Sequence, residues 1–308
     1  MNEDTVTIEN DGLTLEGTLC QPESSPDSVV LLIADSGNLD RNQNSMKTQL
    51  NQFNAIAEHL AEAGIASLRY DKRGCAMSTG NFDITGHSDL VNDANAWTRF
   101  LRTHGDTAGK PLYLLGYGEG SLIAPQVIKT EPAVTGQILL CPFLDNYADV
   151  IQRQAETTLA EIAVLPGFKG KLIRFFLRIS GDQIRKQKKL LARIRKSTKP
   201  MLKIRKQVIN AKWIREMMSL DAEAIHNSIV TPTLIVAGAK DLQSPPTDAS
   251  RLEQLLTGPV QTHILPDMTH ILKADLEAAS TLRYSELSQQ PIDPQLLNII
   301  TQWLKQER

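Results

Sequence analysis

The chain predicts an α/β fold with a mostly parallel central sheet and helices on both faces, and three observations carry that expectation. Short, continuously apolar runs, such as SVVLLIA at 28–34 and TPTLIVA at 231–237, read as strands buried on both faces, because a half-wet strand alternates apolar with polar residues. Segments with helical periodicity separate them, and parallel neighbours need such crossovers. Finally, the apolar run 112–115 passes through GYGEG, with glycine at 116, 118 and 120, straight into a helical register.

Two alternating runs, 5–9 and 13–20, flank Asn10-Asp11-Gly12 and predict an antiparallel hairpin, since a D-G turn tolerates positive φ. After the strand at 28–34, Phe53, Ile56, Ala57, Leu60 and Ala61 recur at helical spacing, with Gly64 placed to end the helix. A strand at 65–70 follows. Ser88 is the expected cap of a helix whose stripe is Leu90, Ala94, Trp97 and Leu101. A further strand is expected at 137–141, and from 142 to about 228 no strand pattern appears. The strand at 231–237, a helix at 248–256 and a last strand at 260–265 restore the alternation. Asp293-Pro294 then opens a closing helix with Leu296, Ile299, Ile300, Trp303 and Leu304 turned inward. Residues 1–144 and 227–308 are thus expected to form the core, with 145–226 a basic helical cap inserted late in the sheet.

Bulk composition narrows the class. With 308 residues, 41% of them hydrophobic and 22% charged, the chain can bury one large core. No apolar run approaches the ~18 residues of a membrane span. The acidic start, with Glu3, Asp4, Glu9, Asp11 and Glu16, lacks the basic and apolar regions of a secretion signal, so a cytoplasmic protein is expected. Three cysteines without a C-x-x-C pair suit neither a disulfide framework nor a zinc site, so no metal is expected.

The glycine run resolves into few motifs. A dinucleotide G-x-G-x-x-G would need glycine where Ser121 stands, and a phosphate loop would need a closing G-K-[ST]. A strand–turn–helix with G-x-S-x-G spacing is the nucleophile elbow, but its central position is Gly118.

Five stretches together resemble the α/β-hydrolases of the bacterial esterase and serine-aminopeptidase-like kind: LLIADSGNLDRNQN at 31–44, LRYDKRGCAMSTG at 68–80, LLGYGEGSLIAP at 114–125, LIVAGAKDLQSPP at 234–246 and LPDMTHILK at 265–273. They lie in the family's order and leave only the insertion unmatched. The resemblance implies an α/β-hydrolase fold with an inserted lid, no cofactor, and a carboxylic ester or thioester of a small molecule as substrate. Residue by residue, it makes Asp241 the triad acid, His270 the general base and Gly118 the nucleophile position. It also implies an oxyanion hole from backbone N–H groups at Glu119 and around Ser36 and Gly37. His59, His87, His104, His226 and His263 have no such context and are read as structural.

Two departures stand out. Asp35 occupies a position that is glycine in many relatives, and a carboxylate there opposes a developing oxyanion; Arg41 and Arg73 are candidates to offset it. Gly118 cannot form an acyl-enzyme. Ser121 lies a helical turn further on, and Ser36 and Cys141 lack a strained turn that would expose a nucleophile. A glycine reads the same in an engineered inactive copy and in a natural lineage that lost acyl transfer, and in a third alternative the Asp241–His270 pair activates water directly. A non-catalytic ligand-binding or regulatory protein is the alternative from another class. If the rest of the site is in place, Gly118→Ser is expected to create esterase activity in one step.

The insertion carries its own signal. Between 169 and 206 stand 15 cationic residues and one acid, Asp182, a local charge of +14 in a chain whose net charge is −2. Leucine, isoleucine and phenylalanine interleave with them. A lid with a solvated basic face accounts for this pattern, and so does contact with an anionic lipid or acyl-CoA, with Arg185, Lys186, Lys188 and Lys189 the candidate contacts. No nucleic-acid motif or aromatic platform accompanies the charge, so nucleic acid is not an expected partner. Oligomeric state is left open.

Overall fold

A computed structural model describes residues 1–204 and 206–307, and of Lys169 the backbone alone. Within the basic stretch, the Lys169 side chain and Arg205 therefore lie outside the described residues. The strands are β1 (Asn2–Asn10), β2 (Leu13–Gln21), β3 (Val29–Ile33), β4 (Ala66–Tyr70), β5 (Leu112–Tyr117), β6 (Gly136–Leu140), β7 (Met201–Ile204), β8 (Gln207–Asn210), β9 (Thr233–Gly238) and β10 (Val260–Leu265). The main helices are α1 (Gln52–Glu62), α2 (His87–Thr103), α3 (Gly120–Thr130), α4 (Tyr147–Val164), α5 (Gly167–Ser180), α6 (Gln183–Lys196), α7 (Ala211–Ser219), α8 (Ala222–His226), α9 (Pro246–Leu255), α10 (Tyr284–Leu287) and α11 (Pro294–Gln306).

Eight strands form one sheet in the order β1-β2-β4-β3-β5-β6-β9-β10. The β1–β2 hairpin adds to it antiparallel, and from β4 to β10 every neighbour is parallel. Burial on both faces explains the unbroken apolar runs. Val29, Leu31 and Ile33 join one core with α2, α3 and α9, while Val30 and Leu32 join the other with α1 and α11. The chain leaves β3 for β4 on one side and later returns to β5 on the other. β3 and β5 therefore flank a point where the winding reverses, the place at which ligands bind in open α/β sheets.

Two local expectations need correction. Ser88 is not the cap of α2: Gly86 holds that position, and its N–H donates to the Asp89 carboxylate at 2.7 Å. Asp89 thus competes successfully from inside the first turn. The stretch 142–228 is mainly helical but contains the antiparallel hairpin β7–β8, which stands apart from the main sheet. Its four-residue strands, MLKI and QVIN, are too short to stand out as a period-two pattern. Among the described residues no helix is long and apolar enough to cross a membrane, and Cys20, Cys75 and Cys141 are free and buried.

Candidate active site

Five loops at the carboxyl edge of the sheet, following β3, β5, β6, β9 and β10, converge on one cavity of about 70 Å³. Its wall includes Asp35, Ser36, Gly118, Glu119 and His270, and Tyr147, Val150, Gln154 and Met217 face it from the inserted helices. Sheet register is what brings Asp35 to Gly118. Ile33 pairs with Gly116 across the parallel β3–β5 ladder, so the residues two positions further on emerge side by side.

The turn after β5 is tight, passing from strand to helix within three residues. Gly118 sits at φ 52°, a left-handed conformation, and α3 starts two residues later. A Cβ on Gly120 would collide with the Ile33 carbonyl, so close packing of helix against strand requires glycine there. The Ser121 hydroxyl donates to the Gly118 carbonyl at 2.7 Å and is fully buried, which removes it as a nucleophile.

Asp241 and His270 lie in contact at this edge of the sheet. One Asp241 oxygen accepts the backbone N–H groups of Gln243 and Ser244 at 2.7 and 2.8 Å. The other lies 2.8 Å from His270 Nδ1. Tyr117 donates its hydroxyl to the His270 carbonyl at 2.7 Å, and Gln52 donates to the Ile271 carbonyl at 2.7 Å, so the histidine loop is held from beneath by buried side chains.

The remaining histidine nitrogen faces an unexpected partner. His270 Nε2 lies 3.3 Å from Asp35 Oδ2, and Asp35 Oδ1 accepts the N–H groups of Ser36 at 2.6 Å and Glu119 at 2.9 Å. The two amides expected to form an oxyanion hole therefore converge, but on a carboxylate of the chain itself. A Cβ placed on Gly118 would overlap Asp35 Oδ1. The Asp35 carboxylate fills the space left by the missing side chain, and the expectation that Gly118→Ser alone completes a site is corrected on that ground.

Charge follows from this geometry. Burial disfavours the His270 cation, but the Asp241 charge, together with hydrogen bonds to Asp241 and Asp35, outweighs it and holds the imidazole well above its usual pKa. Burial likewise raises the Asp35 carboxyl, but the hydrogen bond and charge of His270 and the two amides outweigh it and leave the group below the usual carboxylate range. The result is an imidazolium donating from both nitrogens to flanking carboxylates.

The expected arginines do not take part. Arg41 is bound to Asp71 and Glu16, both at 2.6 Å, and Arg73 to Asp93 at 2.5 Å. Lys72, which precedes Arg73 in the stretch 68–80, does reach Asp35: its Nζ donates to the Asp35 carbonyl at 2.6 Å. Neither Lys72 nor the Asp35–His270 contact was legible in the motifs. Glu119 also does more than offer its amide, because its buried carboxylate lies 2.8 Å from His87 Nδ1 and accepts from Trp213 Nε1 at 2.7 Å. That ties α2 and the inserted α7 to the elbow and gives His87 a positioning part in the elbow's surroundings.

Gly37 lies outside the cavity wall, so of the loop after β3 only Ser36 joins the amide pair. Arg185, Lys186, Lys188 and Lys189 are exposed on α6 and do not line the cavity. Cys141 Sγ, Asp241 and His270 bring their ligand atoms within 4.8 Å of one another. Burial pushes the Cys141 thiol up to about 12, and a cation there would have to displace the proton that His270 Nδ1 shares with Asp241.

Comparison with known proteins agrees with this architecture. A family model for serine aminopeptidase, S33, matches residues 46–277. Esterase EstD of Thermotoga maritima is 20% identical over 293 residues, which cover 94% of this chain and 65% of that protein, so the chain spans about 65% of the length of this curated relative. Est1E from Butyrivibrio proteoclasticus, solved with ferulic acid bound, superposes with a TM-score of 0.61 at 17% identity, over 98% of this chain and 96% of that one. The α/β-hydrolase GrgF from Penicillium sp. sh18 superposes at 0.63 with 16% identity, over 100% and 99%. The matched stretch holds Gly118, Asp241 and His270, and the chain belongs to the serine aminopeptidase S33 family of α/β-hydrolases.

Proposed function

We propose that the chain is a hydrolase acting on small-molecule esters or related electrophiles, with His270 as proton carrier, Asp241 as its orienting acid, and serine-type acyl transfer lost at Gly118. The observation that carries this reading is the 2.8 Å contact between His270 Nδ1 and Asp241, placed beside two converging amides at the elbow. A purely ligand-binding role has no use for an imidazole held between two carboxylates at the cavity wall, so that alternative is not favoured. The inserted segment 145–226 is read as a lid, because its residues Tyr147, Val150, Gln154 and Met217 close the cavity and Trp213 is bonded to Glu119.

The test is a panel of short and long p-nitrophenyl esters with four proteins: the parent, Gly118→Ser, Asp35→Gly and the double variant Asp35→Gly/Gly118→Ser. Only the double variant frees the amides and supplies a hydroxyl. It should exceed the parent by about 10³-fold or more, the size of effect that separates whole from partial triads. Adding His270→Ala should abolish the gain. A folded double variant that hydrolyses no ester would show that the pocket no longer fits acyl substrates.

The lid supports a second contact. On α5 the residues Phe168, Leu172, Phe175, Phe176 and Ile179 lie on one helical face and are exposed, Phe168 by 80%. On α6, Ile194 is buried and Leu190 and Leu191 are partly buried against α7, so its exposed side is basic. An apolar face turned outward next to a cationic helix suits an anionic lipid surface, which takes up both.

A further inference from the structure

Asp35 is arranged as more than an obstacle. Its side chain is 18% exposed and opens on the cavity; Oδ1 is held by the Ser36 and Glu119 amides, and Oδ2 faces His270 Nε2. We propose that Asp35 is the nucleophile of this site, attacking the saturated carbon of a small epoxide to form an alkyl–aspartyl ester that His270 and water then hydrolyse. The inference rests on the reading of His270 and Asp241 as a working pair.

The position of the amides selects this electrophile over an acyl group. Attack on a carbonyl carbon puts negative charge on the substrate oxygen, and that oxygen would need the two N–H donors that Asp35 Oδ1 already occupies. Attack on the saturated carbon of an epoxide puts the charge on the ring oxygen instead, and that oxygen is neutralised by the proton on His270 Nε2 beside Asp35 Oδ2, so this step does not call on the two amides. In the second step water adds to Asp35 Cγ, and charge develops on Oδ1, where both amides already point. The donors are misplaced for acylation by a serine-like route and correctly placed for hydrolysis of an ester of Asp35.

The proton inventory closes. In the first step a bond forms between Asp35 Oδ2 and the epoxide carbon, the ring C–O bond breaks, and its electron pair goes to the ring oxygen, which takes the proton from His270 Nε2. Esterification removes one of the two anions that hold His270 as a cation, leaving a neutral imidazole able to act as base. His270 then takes a proton from water as the oxygen bonds to Cγ. Collapse breaks the bond from Cγ to the alkyl oxygen, which regains that proton from His270 and leaves as the diol. The acid form of Asp35 returns its proton to His270, and the starting charges are restored. A cavity of about 70 Å³ admits only a few water-sized groups, which fits a three-membered ring with a short substituent.

The decisive experiment is a single turnover of the full chain with 1,2-epoxybutane in ¹⁸O-water. Because water attacks Cγ, the label should enter the Asp35 carboxylate, read by peptide mass, and the first diol formed should be unlabelled. In His270→Gln, bromoethane, whose leaving group needs no proton, should accumulate as an ethyl ester on Asp35. Asp35→Asn should reduce both signals to background while its melting curve shows that it remains folded. Label appearing directly in the diol with Asp35 unlabelled would overturn the nucleophile and leave a water-activating base. Absence of both diol and adduct would overturn it as well. The ester panel with Asp35→Gly/Gly118→Ser scores the underlying acid–base pair separately, since that variant contains no Asp35.

Discussion

His270 shares its cation between Asp241 and Asp35, and that arrangement ties stability to pH in two directions. A histidine with a raised folded pKa contributes stability that is complete below its unfolded value of about 6.5 and disappears as pH rises through the folded value. An aspartate with a lowered folded pKa contributes stability above its unfolded value of about 3.9, lost as pH falls through the folded value. Both contributions are therefore present between about pH 4 and 6.5. Asp35→Asn should lower the His270 titration midpoint, followed by NMR of the imidazole protons. It should also cost about 1.5–3 kcal/mol near pH 6, the range for a charge-assisted hydrogen bond, and less once His270 is neutral. Equal losses on both sides of the histidine titration would mean that Asp35 does not sense its charge. At the neighbouring position, Gly118→Ser alone should destabilise the protein by about 1–3 kcal/mol, because a Cβ there meets the Asp35 carboxylate in a left-handed backbone conformation. Denaturant midpoints of the single and double variants measure this, and the double variant should recover part of the loss.

At the scale of elements, the β3–β5 ladder and the inserted helices α5 and α6 carry separate consequences. The ladder aligns two loop residues that lie 83 positions apart in the chain, and the elbow's glycines let α3 pack close enough for the Glu119 amide to reach Asp35. Among the inserted helices, α6 buries Ile194 and α5 exposes Phe168, Leu172, Phe175, Phe176 and Ile179. Binding to phosphatidylglycerol-containing vesicles should therefore weaken in Phe175→Ser/Phe176→Ser. It should also weaken on neutralising Arg185, Lys186, Lys188 and Lys189, each worth about 1 kcal/mol near an anionic surface. Added salt should have a similar effect, since screening acts over roughly 8 Å at physiological ionic strength. Titration with soluble acyl-CoA distinguishes a phosphate-bearing ligand from a surface. Vesicle affinity unchanged in both variants would identify the charges as a solvated face only.

For the whole molecule, stability is unevenly distributed. The two cores flanking the sheet contain most of the fully buried side chains, whereas α4 and α6 bury one residue each among those described, Val150 and Ile194. Segments with few buried contacts open at lower free energy than the core. Limited trypsin digestion should first cut at exposed basic residues between Lys171 and Lys199, leaving the sheet-forming parts associated. First cuts within the parallel strands would contradict the division into core and lid.

The physical basis of sequence legibility differs between fold and site. Buried parallel strands must be apolar on both faces, so β3, β5, β6 and β9 were visible as continuous runs, and the helices between them as stripes. The Asp241–His270 pair was legible only by resemblance, because the two residues sit on loops whose spacing along the chain has no regular period. The hairpin β7–β8 was hidden by the shortness of its strands, and the cap of α2 by a side chain three residues further on. The sequence by itself determined that position 118 carries no nucleophile and that a carboxylate stands at 35. Only the tertiary structure decided that these are one fact, because register between strands distant in sequence is set by packing across the sheet. It places the Asp35 carboxylate where the missing side chain would be, between two amides and an imidazolium.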